Sequence, residues 1–374
     1  MDFTVDRKEF LDAINLVQLA VAKNATIPML TNILVRSDAR NGRVFLTGND
    51  TVTMITGSVK ADVRKDGKVA VSASKLLNIA KSSSGDDICI NIEDNEGFVH
   101  ISSGRSRFNL AVEDADNFPL IDNDDLEAEP IVLDSASLDD HIGRVFHASG
   151  TDDTRRFLCS VYLHAESGML NIVATDGHRL AWVQRESNVD RDFKAIVPRD
   201  AVSAIRKVCS RGDTAQLIVG ERKYKVMVGD FVIVGRLIDG NYPEYQAVVP
   251  SVDTLPLEII VNRDAFITSL KRANIVANEF SHDVALLIDE SGLRIEARNS
   301  DGESVFESVE AEKNRNDEKR VLFNASFLID AASACGKEDI SINLGEDMTP
   351  AMITNADNEG NEYELKMVVM PMRG

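Results

Sequence analysis

The strongest constraint on this chain is that it states one pattern three times. Phe3-Thr4-Val5-Asp6-Arg7-Lys8-Glu9-Phe10 is a short alternating run that turns helical, and residues 131–138 and 259–266 repeat it. Val5, Leu133 and Val261 stand 128 residues apart, as do Phe10, Leu138 and Phe266. In each copy Asp6, Asp134 or Asn262 sits where a strand ends and a helix needs its N-cap oxygen. A second landmark begins at Val71, Val197 and Phe323, spaced by 126 each time. It reads as a strand end, a polar cap and a short helix, with apolar pairs at i, i+3: Leu76 and Ile79, Val202 and Ile205, Leu328 and Ala331. The third landmark is a glycine hairpin turn between β-rich runs: Asn41-Gly42, Ser167-Gly168 and Ser291-Gly292.

A period of about 125 residues is the size of a domain and too long for a solenoid unit. The expected fold is therefore α+β, with three domains of one topology over 1–124, 130–250 and 253–374. Each should hold about eight strands and two short helices. The boundaries fall in the acidic stretch 122–127 and near 250–253. Each follows an aromatic–proline step, Phe118-Pro119 or Tyr242-Pro243, read as the end of a repeat's last strand. Hydrophobic residues make up 44% of the chain, enough for proper cores. No apolar run approaches the roughly 18–20 residues of a membrane span, and the opening Met1-Asp2-Phe3-Thr4-Val5-Asp6 lacks a secretion signal's basic and apolar regions. Cys89, Cys159, Cys209 and Cys335 form no CxxC pair. That argues against a zinc site or a disulfide framework and fits a reducing cytoplasm. No metal, cofactor or membrane is expected.

Three α+β domains in a row leave a free sheet edge at each end, an association hazard unless it is used. Joining the free edge of domain 1 to that of domain 3 in a second copy closes a six-domain ring. Antiparallel sheets would form the outside, and two helices per domain would line the inside. Twelve helices about 9 Å apart give a circumference of about 110 Å. Less one helix width of about 10 Å, the hole is roughly 25 Å across, room for duplex DNA and a water layer. The net charge of −20, from 41 Lys+Arg against 61 Asp+Glu, speaks against nucleic acid only if charge is evenly spread. The helices carrying Arg7, Lys8, Lys75, Lys81, Arg144, Arg199, Arg206, Lys207, Lys271 and Arg272 come out near neutral against their own acids. The acidic runs 114–125 and 307–317 read as loops and outer strands.

Local strings add specificity: Ala174-Thr175-Asp176-Gly177-His178-Arg179-Leu180-Ala181, Asp239-Gly240-Asn241-Tyr242-Pro243-Glu244-Tyr245, Gly104-Arg105-Ser106-Arg107-Phe108 and the final Val368-Val369-Met370-Pro371-Met372-Arg373-Gly374. With the threefold repeat they make the chain closely resemble the bacterial DNA polymerase III β subunits, the sliding clamps, from end to end. The resemblance implies a non-catalytic processivity factor, a dimeric ring around double-stranded DNA. It also implies partners: the α subunit of the replicative polymerase, a clamp loader, other DNA polymerases and repair proteins. These would bind through a Gln-Leu-x-Leu-Phe-like peptide in a groove between domains 2 and 3. Carried over by position, one wall of that groove is Leu158, Thr175, Gly177, His178, Arg179, Leu180, Pro243 and Val248. The other is Asn324, Phe327, Met348, Val368, Val369, Met370, Pro371, Met372 and Arg373. The types suit the task, since Leu, Val and Pro line apolar pockets and Met adapts to varied partners.

The same resemblance puts DNA contacts at Lys23, Arg155, Arg156, Phe157 and Arg199. It puts the dimer seam at Phe108 and Leu110 against Ile275 and Val276, with Lys75, Arg105 and Arg107 facing Glu303 and Glu307. Departures from the family pattern fall at Ala247, Ser281 and Gly374 near the groove and at Asn24 and Asp200 on the DNA side. Two other classes stand beside this reading: an enzyme using Asp176 and His178 as an acid/base pair, and a peptide-binding scaffold that never meets DNA. Against the first, no phosphate cradle, nucleophile elbow or metal-spaced carboxylate set accompanies the pair. His141, His147, His164 and His282 read as surface or capping residues, and Trp182 as packing.

Overall fold

The computed structural model describes residues 1–374 apart from 23–25, 93–96, 188, 190, 347 and 374. Lys23, Asn24 and Gly374 thus lie outside the described residues. Each repeat runs strand, helix, four strands, helix, three strands. Repeat 1 has β1 (Asp2–Asp6), α1 (Arg7–Val17), β2 (Asn32–Asp38), β3 (Arg43–Asn49), β4 (Thr53–Lys65), β5 (Gly67–Ser72), α2 (Ala73–Ser82), β6 (Asp87–Asn91), β7 (Phe98–Ser103) and β8 (Ser106–Ala111). Repeat 2 has β9 (Ile131–Asp134), α3 (Ser135–Phe146), β10 (Ser160–Glu166), β11 (Met169–Thr175), β12 (Arg179–Glu186), β13 (Phe193–Pro198), α4 (Arg199–Cys209), β14 (Thr214–Val219), β15 (Lys223–Val228) and β16 (Phe231–Arg236), then a one-turn α5 (Tyr245–Val248). Repeat 3 has β17 (Leu257–Asn262), α6 (Arg263–Val276), β18 (Asp283–Asp289), β19 (Gly292–Arg298), a fourth strand split into β20 (Ser304–Val309) and β21 (Ala311–Lys313), β22 (Lys319–Asn324), α7 (Ala325–Ala334), β23 (Asp339–Leu344), β24 (Ala351–Asn355) and β25 (Tyr363–Val369).

The repeated local signals do the same physical work each time. Asp6 accepts the Lys8 and Glu9 backbone N–H groups at 2.8 and 2.9 Å, Asp134 that of Ser137 at 2.7 Å, and Asn262 that of Ala265 at 3.0 Å. Such a cap contributes about 1 kcal/mol. Behind it, Phe10, Leu138 and Phe266 are buried. At the second helix only Asn324 caps as expected, accepting from Ser326 and Phe327. The Ser72 hydroxyl pairs with that of Ser74 instead. The hairpin glycines Gly42, Gly168 and Gly292 sit at φ of +59°, +78° and +118°, where a side chain would be strained.

All three repeats build the same two antiparallel sheets. One is β5-β2-β3-β4, matched by β13-β10-β11-β12 and β22-β18-β19-β20; the other is β1-β6-β7-β8, matched by β9-β14-β15-β16 and β17-β23-β24-β25. The sheets also continue across repeats. β16 pairs with β4, from Phe231↔Gly57 to Gly235↔Thr53, and since the long β4 also pairs with β1 inside repeat 1, this makes a 12-stranded sheet. β25 pairs with β12, from Tyr363↔Arg185 to Val369↔Arg179, and with β21 on the far edge of β17 this makes a nine-stranded one. Because strands pair across repeats as fully as within them, the chain divides into two compact units, residues 1–139 with 200–237 and residues 140–199 with 238–374. The division runs between the two sheets of the central repeat.

The aromatic–proline steps do not end the last strands. β8 and β16 stop at Ala111 and Arg236, and the chain then returns as a strap along the sheet's outer strand. Glu113 bridges Ala70, the Ile238 N–H donates to the Ile196 carbonyl, and the Met372 N–H donates to that of Leu322, so that the strand positions Ala70, Ile196 and Leu322 stand 126 residues apart. Phe118 is buried against Met29 and Ala70, and Tyr242 stacks on Tyr162 with centroids 4.5 Å apart. The steps are therefore anchors of a strap, a pairing too distant in sequence to read locally.

Candidate functional site

The Thr175–Leu180 string is the tight turn joining β11 to β12, and its polar side chains are spent on building it. The Thr175 hydroxyl donates to the Arg179 carbonyl at 2.6 Å and accepts the Gly177 N–H at 3.1 Å. Asp176 Oδ1 accepts the His178 and Arg179 backbone N–H groups, and its Oδ2 accepts from Arg179 Nε at 3.0 Å. Gly177 holds φ +93°, with the Arg155 guanidinium close by. The Asp176 carboxylate is thus engaged in turn formation rather than aimed at His178 as a catalytic partner.

This turn meets the chain's last residues directly. Arg179 and Leu180 lie opposite Val369 and Val368 in the β12–β25 ladder, and the Met370 N–H donates to the His178 carbonyl at 2.9 Å. With the Met372 bridge to Leu322, the tail is held along its length, unlike most termini. Burial alternates along it: Val369 and Pro371 are buried, Met370 exposed and Met372 half-buried. Below lies a core of Tyr162, Val173, Leu180, Trp182, Ile196, Tyr245 and Val368. Trp182 packs there and donates its indole N–H to Asn171 at 3.0 Å. Tyr245 edges onto Trp182 and bonds His164 at 3.1 Å, which seats α5 on the same sheet and leaves Pro243 and Val248 exposed at its margin. On the other side Asn324 caps α7, and Phe327 lies under the Arg179 guanidinium, 4.4 Å from carbon to ring centroid. Leu158 is buried, its carbonyl taking the Gly150 N–H. Met348 is exposed at φ +66°. Apart from Leu158 and Met348, whose links to the rest are not on this ladder, the expected groove residues gather around one turn, one terminal strand, the start of α7 and the short α5.

Arg155 and Arg156 are exposed on the short turn before β10, and Phe157 is half-buried. Arg199 differs from the other two cations. It donates to the Ser149 and Phe146 carbonyls at 2.7 and 3.3 Å and stacks on the Phe146 ring at 4.3 Å, so it caps the end of α3. Of the expected seam residues, Lys75, Arg105, Arg107 and Glu303 are exposed, and Phe108, Leu110 and Val276 half-buried. Ile275 is 81% exposed, joined by two aromatics that the sequence reading missed, Phe280 at 94% and Phe306 at 59%. Glu307 is already paired with Arg272 at 2.5 and 2.9 Å, which holds its carboxyl below the usual range. Among the described residues no His/Cys/Asp/Glu group is arranged to hold a metal, and no helix is long and apolar enough to cross a membrane.

The profiles of three families match in order: the N-terminal, central and C-terminal domains of the DNA polymerase III β subunit, over residues 1–122, 132–244 and 250–373. The chain belongs to the DNA polymerase III β-subunit family. The β sliding clamp of Pseudomonas aeruginosa is 30% identical over 379 residues, and that of Escherichia coli K12 29% over 377, each covering the whole of both chains. A crystal structure of the Pseudomonas aeruginosa sliding clamp superposes with a TM-score of 0.93 at 28% identity, again over both full lengths. A β subunit is a sliding clamp, a non-catalytic processivity subunit of the polymerase, so the Asp176/His178 enzyme reading falls away.

The histidine reading needs correction for three of its four members. His141 and His164 are buried, and both ring nitrogens of His147 are enclosed. His141 packs edge-on against Tyr363, a contact from repeat 3 that local sequence does not announce. His282 is half-buried; it bonds Asn274 at 3.0 Å and lends its carbonyl to the Ala325 N–H.

Proposed function

We propose that two copies of this chain close head to tail into a ring around double-stranded DNA in the cytoplasm. The ring tethers the α subunit of the replicative polymerase, the clamp loader, other DNA polymerases and repair proteins through the groove around Arg179, Phe327 and Met370. One observation carries the dimer: the bookkeeping of strand edges. The last strands of repeats 2 and 3 pair with the fourth strands of the repeats before them. The remaining last strand, β8, and the remaining fourth strand, β20, each have one neighbour among the described residues. A second copy supplies each with the partner its counterparts already have.

The repeat also supports one register. Gly104 and Gly229, both left-handed, open β8 and β16 alike, and Asn49↔Met54 corresponds to Arg298↔Ser304. Transferring the β16–β4 pairing puts Phe108 opposite Val305 and Arg107 opposite Phe306 of the other copy. Ile275, Phe280 and Phe306 then leave water, an apolar exposure uncommon on a stable monomer. In that register Glu303 falls opposite Leu110, and Glu307, already paired with Arg272, opposite Ser106, so neither stands directly across from Arg105 or Arg107. DNA contact falls to Arg155, Arg156 and Phe157, with Arg199 chiefly holding α3. The contacts are to phosphates through water, blind to sequence, because a clamp must slide. Sedimentation should give a dimer, and the loaded protein should stay on nicked circular DNA and run off the same DNA once it is cut. A monomer mass, or equal retention on both forms, overturns the reading.

A further inference from the structure

We propose that Asp330 is a positioning residue of the peptide groove, holding the Arg179 guanidinium against the Phe327 ring so that the groove's aromatic wall is fixed before a peptide arrives. The inference rests on the groove reading above and adds to it a residue that the sequence reading did not place in the groove.

Arg179 is only 14% exposed and its guanidinium is gripped on three edges. Nε donates to Asp176 at 3.0 Å, one terminal nitrogen to Asp330 at 2.6 Å, and the other to the His147 carbonyl at 2.6 Å. Its flat face covers Phe327. These partners come from three places: its own turn, the end of α3, and α7. Within α7, Phe327 and Asp330 stand at i and i+3 and so neighbour each other on one helix face. The helix therefore offers one arginine a ring and a carboxylate together. Two planar groups stay stacked only if in-plane bonds fix the guanidinium's rotation, and a forked donor with directional partners is suited to that. Asp176 alone cannot do it, because it is tied to the turn that carries Arg179. Asp330 is the in-plane partner on the helix that carries the ring.

Asp330 is 41% exposed and lies one turn into α7, so its loss leaves the helix cap at Asn324 and the buried face of Leu328, Ala331 and Ala332 in place. The test measures binding of a fluorescein-labelled Gln-Leu-Ser-Leu-Phe peptide to full-length Asp330→Ala, Asp330→Asn and Asp330→Glu proteins, alongside the ¹⁵N-resolved Arg179 Nε–H resonance. Asp330→Ala should weaken the peptide about tenfold, and Asp330→Asn less. Asp330→Glu should recover most of the affinity. The Nε–H signal should move out of the ring's shielding in step with affinity, at unchanged dimer mass. Affinity within twofold of the parent for Asp330→Ala overturns the proposal, as does an unmoved Nε–H signal. If the alanine variant does not fold, the asparagine variant is judged by the same two readings. A parent that fails to bind the peptide sinks the groove reading instead, while the Nε–H shift still decides whether Asp330 positions Arg179.

Discussion

His147 follows the last turn of α3 with both imidazole nitrogens enclosed and without a well-formed hydrogen bond, close to the Arg179 guanidinium. Burial first, and Arg179 second, push its pKa down to about 4, against weaker opposite pulls from Asp330, the Arg144 backbone and Asp176. His141 is lowered to about 4 as well, by burial and then by Arg185. In the unfolded chain both titrate near 6.5. Between pH 6.5 and 4 the unfolded state therefore holds more protons, and stability, complete above 6.5, drains away as pH falls through that window. Each group can contribute up to about 3 kcal/mol to the loss. Chemical denaturation from pH 7.5 to 4.5 should show the decline, and His147→Phe should flatten it; an unchanged acid limb would refute the assignment. None of this was legible from the residue type. The charges that act on His147 come from residues 179 and 330, far along the chain, and only the assembled core sets an imidazole's proton affinity.

Elements were legible where their cause is local. The three N-caps and the three glycine turns each depend on two to four consecutive residues, and the structure has them as read. The straps were misread because each depends on a partner far along the chain, as Glu113 does on Ala70. The tail is the third strap, and that explains why it is ordered: it repeats a bridge the other two repeats make with their connecting segments. Asn262→Ala should cost about 1 kcal/mol by urea unfolding, as the loss of one cap does. Deleting residues 370–374 removes two backbone bonds and the Met370 surface, yet leaves the β12–β25 ladder intact. Peptide titration should therefore find binding abolished in a protein whose circular dichroism spectrum and mass are unchanged. Residual binding at parental affinity would move the groove elsewhere.

For the molecule as a whole, the repeat was the most legible feature and the partition of the chain the least. Sequence marks where one pattern stops and the next begins, but strand pairing joins β4 to β16 and β12 to β25 regardless of that border. On the proposed ring, Ile275→Asp with Val276→Asp should give monomers by sedimentation, since burying an apolar side chain is worth about 1.5–3 kcal/mol and an exposed ion pair about 0–1. A Phe108→Cys, Val305→Cys chain should oxidise to a covalent dimer if the register is right, and stay monomeric on a denaturing gel if it is not. The joints β4–β16 and β12–β25 have a covalent connection behind them, so each behaves as if its partner were present at a local concentration on the order of millimolar. In the proposed ring the β8–β20 joint would be built from strands of the same kind with no chain behind it, so it alone would feel dilution. Separation should begin there, and a machine that opens the ring need overcome only the one contact that thermal motion is already free to lose.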